Sequence, residues 1–254
     1  MISWLRFEEP LPQEEWRNLV LRDGSSVPVR WVRDKRARRL RLMLGEKGVR
    51  LTLPRTASVR LAETFLFENR DWLAEQLARQ PRVESRPFDG EDGSVLLRGE
   101  TLPIDWREGR FLRVERAGPG VAITRSARSS DRQLRAAMRE FYQREAQADV
   151  GRWLPAWLPG LPRPPASLKF RALSSLWGSL SAADGVMLDL ALVLGRPAAF
   201  EYVLVHELCH LIHRDHSRRF WREVEARCPR WRDERDYLHG EGLALKGGLR
   251  RFTS

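Results

Sequence analysis

The stretch His206-Glu207-Leu208-Cys209-His210 constrains this chain more than any other, because two imidazoles and a carboxylate continue the apolar run Phe200, Tyr202, Val203, Leu204 and Val205. Residues four apart on an α-helix lie one turn apart on the same face, so His206 and His210 can present ring nitrogens to one metal ion. Polar groups continuing a buried face are costly unless something satisfies them, and a bound cation would do so. Glu207 sits beside the pair and can reach a water on the metal without being a ligand. Zinc brings the pKa of such a water to roughly 7, within reach of a carboxylate acting as general base. The expectation is a Zn2+ centre with His206 and His210 as ligands and Glu207 as base.

A third ligand is needed, and all five histidines (206, 210, 213, 216 and 239) fall in the last part of the chain. His213 is close in helical angle to the pair but sits roughly 10 Å along the axis from His206 at 1.5 Å per residue. Bonds near 2 Å cannot comfortably gather three such levels. His216 lies past the expected helix end at Arg214-Asp215, where a turn can swing it back over the metal. Asp215 or Ser217 can cap the helix that follows. The geometry favours His216 over His213, with His239 as an outside candidate. Asp189, Asp215, Glu223 and Glu225 are within range to accept the second N–H of a ligating imidazole, and the sequence does not choose among them. Tyr237 or an arginine is a weak candidate for oxyanion support, while Phe220 and Trp221 read as packing residues.

Residues 1–26 read as a lead-in, ending in the turn Asp23-Gly24-Ser25-Ser26. Residues 27–130 read as a β-rich part with one helix. Alternation predicts strands at 27–32, 39–44 and 49–54, the last two joined as a hairpin through Gly45-Glu46-Lys47-Gly48. A helix is expected over 57–79, stopped by Pro81, with a loop at 82–94. Further strands are expected at 95–98, 101–106, 111–116 and 121–124. Residues 131–254 read as the catalytic part: a helix over 131–152, a proline-punctuated segment from Pro155 to Pro165, a strand at 167–173, and an apolar run at 186–192 that suits a strand. A helix opened by Pro197 should run through the histidines to 213, another begins near Ser217, and a last one spans 235–245. No internal repeat stands out, and 27–245 also reads as one continuous domain.

The charge needs weighing, because Lys and Arg total 45 against 34 Asp and Glu, a formal net charge of +11. Such a surplus suits an anionic partner. The cationic side is almost all arginine and spread along the chain, which equally fits a compositional habit. The densest basic spot is Lys35, Arg36, Arg38 and Arg39, which otherwise reads as a solvated edge that discourages strand pairing. Two cysteines, Cys209 and Cys228, do not make a disulfide scaffold and suit a reducing cytoplasm. No apolar stretch is long enough to span a membrane. The start MISWLRFEEPLPQEEW lacks the pattern of a secretory leader.

The segment YVLVHELCHLIHRDHSRRFW (202–221) resembles the hallmark of the YgjP-like metallopeptidase family, which is related to SprT-type zinc proteases. His216, Ser217, Phe220 and Trp221 match the tail of that hallmark. SSLWGSLS (174–181) is similar to the family's Ser-Arg-Trp-Gly-Ser-Cys segment, RDKRARRLRLML with VRLTLPRTAS to its N-terminal hairpin, and FLFENRDWLAEQL to the helix after it. The likeness covers about 27–245. It implies an α+β, zincin-like fold, with His206, His210 and His216 holding zinc and Glu207 as base. Leu176 and Leu180 depart from the family's Arg and Cys, which bears on substrate specificity. Trp177, Gly178 and Ser179 remain; by itself this segment reads as a turn beside the active-site helix, Gly178 permitting close backbone approach. Three functions compete: a metallopeptidase acting on peptides or proteins, a metal-dependent nucleoside-triphosphate (UTP) pyrophosphatase, and a DNA-associated module without catalysis. No P-loop or paired metal-binding aspartates support the second independently.

Overall fold

A computed structural model of the chain describes residues 14–45, 48–78, 93–174 and 176–254. The chain divides into two compact units, Met1–Gln80 and Pro81–Ser254. The fold is mixed α+β.

The first unit is a four-stranded sheet followed by two helices. Its strands are β1 (Glu14–Val20), β2 (Ser26–Asp34), β3 (Arg41–Gly45) and β4 (Gly48–Pro54), in the order β1-β2-β4-β3. β1–β2 and β3–β4 pair antiparallel, and β2–β4 parallel. Alternation puts Val29, Trp31, Val49, Leu51, Leu53 and Leu44 on the buried face. The helices α1 (Val59–Glu68) and α2 (Arg70–Ala78) contribute buried Ala62, Leu66 and Leu73. Arg17 ties the same face of β1 to α1 through Glu63 at 3.1 Å.

Two expectations change here. Residues 14–20 are a strand, not lead-in. Charged Glu15 and Arg17 stand at inward-facing positions of β1, so the strand shows no clean apolar alternation, and Arg17 lays its guanidinium over the Trp31 ring at 4.6 Å. The single helix expected over 57–79 is two, because the chain leaves helical geometry at Asn69, with φ −97° and ψ 7°, and the Asn69 side-chain amide donates to the Phe65 carbonyl at 2.7 Å. That competes with continuing the helix. Pro81, and the expected loop up to 92, lie outside the described residues; Ser94 already opens the next strand.

The second unit begins with another four-stranded sheet: β5 (Ser94–Leu97), β6 (Glu100–Glu108), β7 (Arg113–Ala117) and β8 (Gly120–Arg125), in the order β5-β6-β8-β7. Order and strand sense repeat those of the first sheet, with β6–β8 the parallel pair. Trp31 opposite Leu51 and Trp106 opposite Ile123 occupy matching places. Each sheet hands on to a helix capped by a serine, Ser58 and Ser130. The sequence hid this repeat because only binary pattern and a few positions are shared.

A 27-residue helix, α3 (Asp131–Trp157), follows, started by the capping box Ser130–Gln133. It passes Pro155, whose missing N–H leaves only the carbonyl of exposed Gly151 to solvent. Next come β9 (Ser167–Arg171), β10 (Gly178–Leu180) and β11 (Gly185–Asp189), forming a three-stranded sheet in the order β10-β11-β9. A 3-10 turn (Leu190–Leu194) takes up the rest of the apolar run. It leads to α4 (Pro197–Cys209), α5 (Arg218–Arg227) and α6 (Trp231–Thr253). The last helix outruns the expected 235–245 because its glycines are points of close packing, not breaks: a Cβ on Gly242 would stand 2.9 Å from the Trp177 ring, and one on Gly248 3.2 Å from Leu194.

The sequence placed a boundary at 130/131, whereas the folded chain divides at 80/81. Val95, Leu102, Ile104, Val121 and Ile123 of the second sheet share one core with Leu134, Met138 and Phe141 of α3 and with the 3-10 turn. Among the described residues, no helix is long and apolar enough to cross a membrane.

Candidate metal centre

α4 is buried on almost every side, with Ala199, Phe200, Tyr202 to Val205, and Glu207 to Cys209 all inside. Pro197 starts it, supplying a fixed φ where no N–H is needed. The helix ends earlier than expected. The N–H groups of His210, Leu211 and Ile212 bond three residues back, to Glu207, Leu208 and Cys209 at 3.0–3.2 Å, and this tightening peels the chain off the helix. Asp215 then accepts from the Ser217 N–H at 3.2 Å, and Ser217 caps α5.

The consequence is a three-histidine cluster. His206, His210 and His216 each offer one ring nitrogen, and these lie within 4.8 Å of one another. The Nε2 atoms of His206 and His216 stand 3.2 Å apart. Two nitrogens bound tetrahedrally to one zinc at about 2.05 Å would be roughly 3.3 Å apart, so this pair already has the spacing of a shared ion. His213 is outside the cluster and instead accepts at its backbone carbonyl from His210 Nδ1 at 3.0 Å. That bond fixes the His210 tautomer and leaves the Nε2 lone pair free for a metal. His206 Nδ1 is buried and has no hydrogen-bond partner among the described residues.

Phe220 lies beneath all three imidazoles. It is fully buried, with ring centroids 4.9, 4.4 and 4.9 Å from His206, His210 and His216. Trp221 sits 5.7 Å from His206 and stacks on Trp231 at 4.4 Å. Phe220 is therefore more than helix packing: it is an apolar floor that fixes the ring orientations. Its place one turn beyond His216, on a serine-capped helix, was the signal available in the sequence.

Glu207 is 5% exposed. Burial pushes its carboxyl up to about 7. Burial, reinforced by the neighbouring His210 and His216, pushes His206 down to about 3. Both shifts favour the uncharged form, as expected of groups held in an apolar wall with no ion-pair partner. Gly178, at the start of edge strand β10, meets this carboxylate directly: a Cβ there would fall 2.6 Å from Glu207 Oε1. The close backbone approach expected of Gly178 is what the structure has, though on a strand, not a turn.

The expected imidazole partners are occupied elsewhere. Glu223 pairs with Arg227, and Glu225 with Arg232. Asp189 is buried against Lys246 and accepts from the Ala191 N–H. Burial raises the Asp189 carboxyl, and Lys246 opposes that. Lys246, which belongs to no motif in the sequence, also donates to the carbonyls of Leu173 and Leu176 at 2.7 and 3.0 Å and lies 4.6 Å over the Trp177 ring. Tyr237 accepts from the Arg196 N–H at 3.2 Å and is not among the residues lining the cleft.

A cleft of about 520 Å3 opens over the cluster, walled by Leu176, Trp177, Leu180, Tyr202 and Leu238, with Ser179, Arg214, Arg235 and His239 among its polar side chains. Leu176 is 55% exposed at its edge. Arg214 is engaged by the Ser181 carbonyl and by Asp184.

No curated protein and no solved structure matches the chain. A family model does, over residues 38–241, close to the span of the likeness read from the sequence and inclusive of the three histidines, Glu207 and Gly178. A donor cluster at the end of α4 and in the connection after it, a buried glutamate and an apolar cleft are what a metal-dependent hydrolase of that kind requires, and the chain belongs to the YgjP-like metallopeptidase domain family.

Proposed function

We propose that this chain is a zinc-dependent metallopeptidase in which His206, His210 and His216 hold the metal and Glu207 is the general base. The observation that carries the reading is the convergence of three imidazole nitrogens within 4.8 Å, beside a buried carboxylate that makes no ion pair among the described residues. The donor set fits the ion: three imidazoles with an open fourth position are a catalytic zinc arrangement, and divalent zinc is the metal this family implies. When bound, such an ion polarises a carbonyl and makes water acidic enough to attack near neutral pH. Glu207 takes the proton of the attacking water and passes it to the leaving amine. A carboxyl whose affinity for protons is already raised can both accept and return one. Arg235, His239 and the Ser179 and Tyr202 hydroxyls line the cleft and can donate to charge developing on the carbonyl oxygen, while Arg214 is tied to Asp184. Leu176, Leu180 and Leu238 favour an apolar side chain next to the scissile bond. With α4 packed beside β10 and β11, we read the core as zincin-like. Free Cys209 and Cys228 fit a cytoplasmic setting.

The nucleoside-triphosphate reading draws on the same cleft, because Arg235 and His239 would suit phosphates. Incubating the purified protein with UTP and, separately, with casein and a peptide library decides between them. Metal analysis then checks the ligands: His216→Ala should lose zinc and His213→Ala should keep it. Glu207→Gln should keep zinc and lose all turnover; turnover surviving in that variant removes the base assignment.

A further inference from the structure

The first sheet has one face covered and one open. On the open face, the register aligns Trp16, Arg30, Arg50 and Met43 in one row across all four strands. Neighbouring strands are about 4.8 Å apart, so the row runs roughly 14 Å. Trp16 is 57% exposed and Met43 36%. Arg41 extends the same face on β3. At its end lies the β2–β3 connection, which carries Lys35, Arg36, Arg38 and Arg39. Among the described residues, none of these four, nor Arg41 or Arg50, forms an ion pair. The carboxylates on this side are Glu14, 3.3 Å from Arg30, and Asp34, which accepts from the Arg36 N–H at 2.8 Å.

The repeated sheet supplies an internal comparison. Where the first sheet carries Arg30, Arg50 and Met43, the second carries Asp105, Ala122 and Glu115 at the matching register positions. Its outward arginines are neutralised, Arg107 by Asp105 at 2.7 Å and Arg113 by Glu115 at 2.8 Å. An arginine habit spread over the whole chain would not leave one copy of the scaffold neutral and the other strongly cationic with a bare indole in the row.

We infer that the open face of the first sheet, with the 35–41 connection, binds single-stranded nucleic acid. A flat cationic surface carrying an exposed aromatic ring suits a chain with both phosphates and unstacked bases: the arginines track the backbone and Trp16 stacks a base. A duplex hides its base faces and could use only the charge. Phosphates and base faces are common to DNA and RNA, so strands of both kinds should bind. This site is independent of the hydrolytic centre.

The test is fluorescence anisotropy of labelled oligo(dT) and oligo(U) with the full chain, between ~50 and ~200 mM salt, where binding through phosphates weakens steeply. Trp16→Ala should weaken binding roughly 10-fold or more, the loss expected of one stacked base. Arg41→Glu and Arg38→Glu should weaken it and flatten the salt dependence by about 0.7 in log–log slope for each phosphate no longer neutralised. Arg113→Glu, the same charge change on the second sheet, should leave binding unchanged. These are surface side chains, and circular dichroism confirms that each variant is folded. Binding that survives Trp16→Ala and Arg41→Glu, or falls as much with Arg113→Glu, overturns the proposal. So does tighter binding to duplex DNA or to anionic vesicles, or a concentration-dependent dimer that Trp16→Ala abolishes.

Discussion

Gly178 shows how narrow the tolerances are at single residues. Any larger side chain there would collide with the Glu207 carboxylate, the nearest approach being 2.6 Å to Oε1. Glu207 Cγ and Cδ would stand at 2.8 and 2.9 Å as well, all of it one flexible side chain, so the clash is relieved most cheaply by swinging Glu207 away, not by moving the strand. Gly178→Ala should therefore leave the melting temperature almost unchanged while turnover falls about 100-fold, the scale of loss that a 1 Å misplacement of a catalytic group produces. Zinc content should not change. A variant that unfolds, or one that keeps its turnover, would show that Gly178 serves the sheet and not the base. Phe220 acts at the same scale: its ring lies under all three imidazoles and limits their rotation, so the cluster is held by packing as well as by helix geometry.

At the scale of elements, Lys246 of α6 and Asp189 of β11 fasten the backbone on either side of Trp177, in addition to the pairing of β10 with β11. Lys246 donates to two carbonyls and covers the Trp177 ring, while Asp189 donates its N–H to the Trp177 carbonyl at 2.8 Å. Both ionic groups are deeply buried, so removing one strands the other. Lys246→Met should cost about 3–5 kcal/mol of unfolding free energy by urea titration, and adding Asp189→Asn should recover part of it, as expected when a buried charge is no longer unpaired. A double variant no more stable than Lys246→Met would refute the pairing.

None of this was legible in the sequence, because the two residues are 57 apart and neither belongs to a motif. What was legible follows short-range rules. His206, Glu207 and His210 are fixed by one helical turn, His216 by the turn and cap after it, and the strands of both sheets by alternation. What was missed depends on long-range packing. β1 hides its alternation behind Arg17, which covers a tryptophan. α6 carries glycines that read as breaks until Trp177 and Leu194 are seen packed against them. The end of α4 was placed at 213, not 209, because the apolar pattern continues through Leu211 and Ile212, which are held by tighter bonds just beyond the helix.

For the whole molecule, the two units show that one scaffold can be put to different uses. The first sheet keeps a cationic outer face, whereas the second is neutral outside and shares its inner face with the core that carries the histidine cluster. That core reaches from β5 to α6, and the histidine cluster lies on its α4 and α5 side. An ion that binds the folded cluster and not the unfolded chain must stabilise this whole unit by mass action, by about 2.7 kcal/mol at a hundredfold excess over its Kd. At roughly 2–4 °C per kcal/mol for a body of this size, the melting transition of the second unit should rise by about 5–10 °C with zinc and fall back with a chelator. His206→Ala should abolish that response while keeping its own basal transition, since His206 is only partly buried and its Nδ1 has no hydrogen-bond partner to lose. A melting curve indifferent to zinc and chelator in the unaltered protein would mean that the three nitrogens, close as they are, do not share an ion.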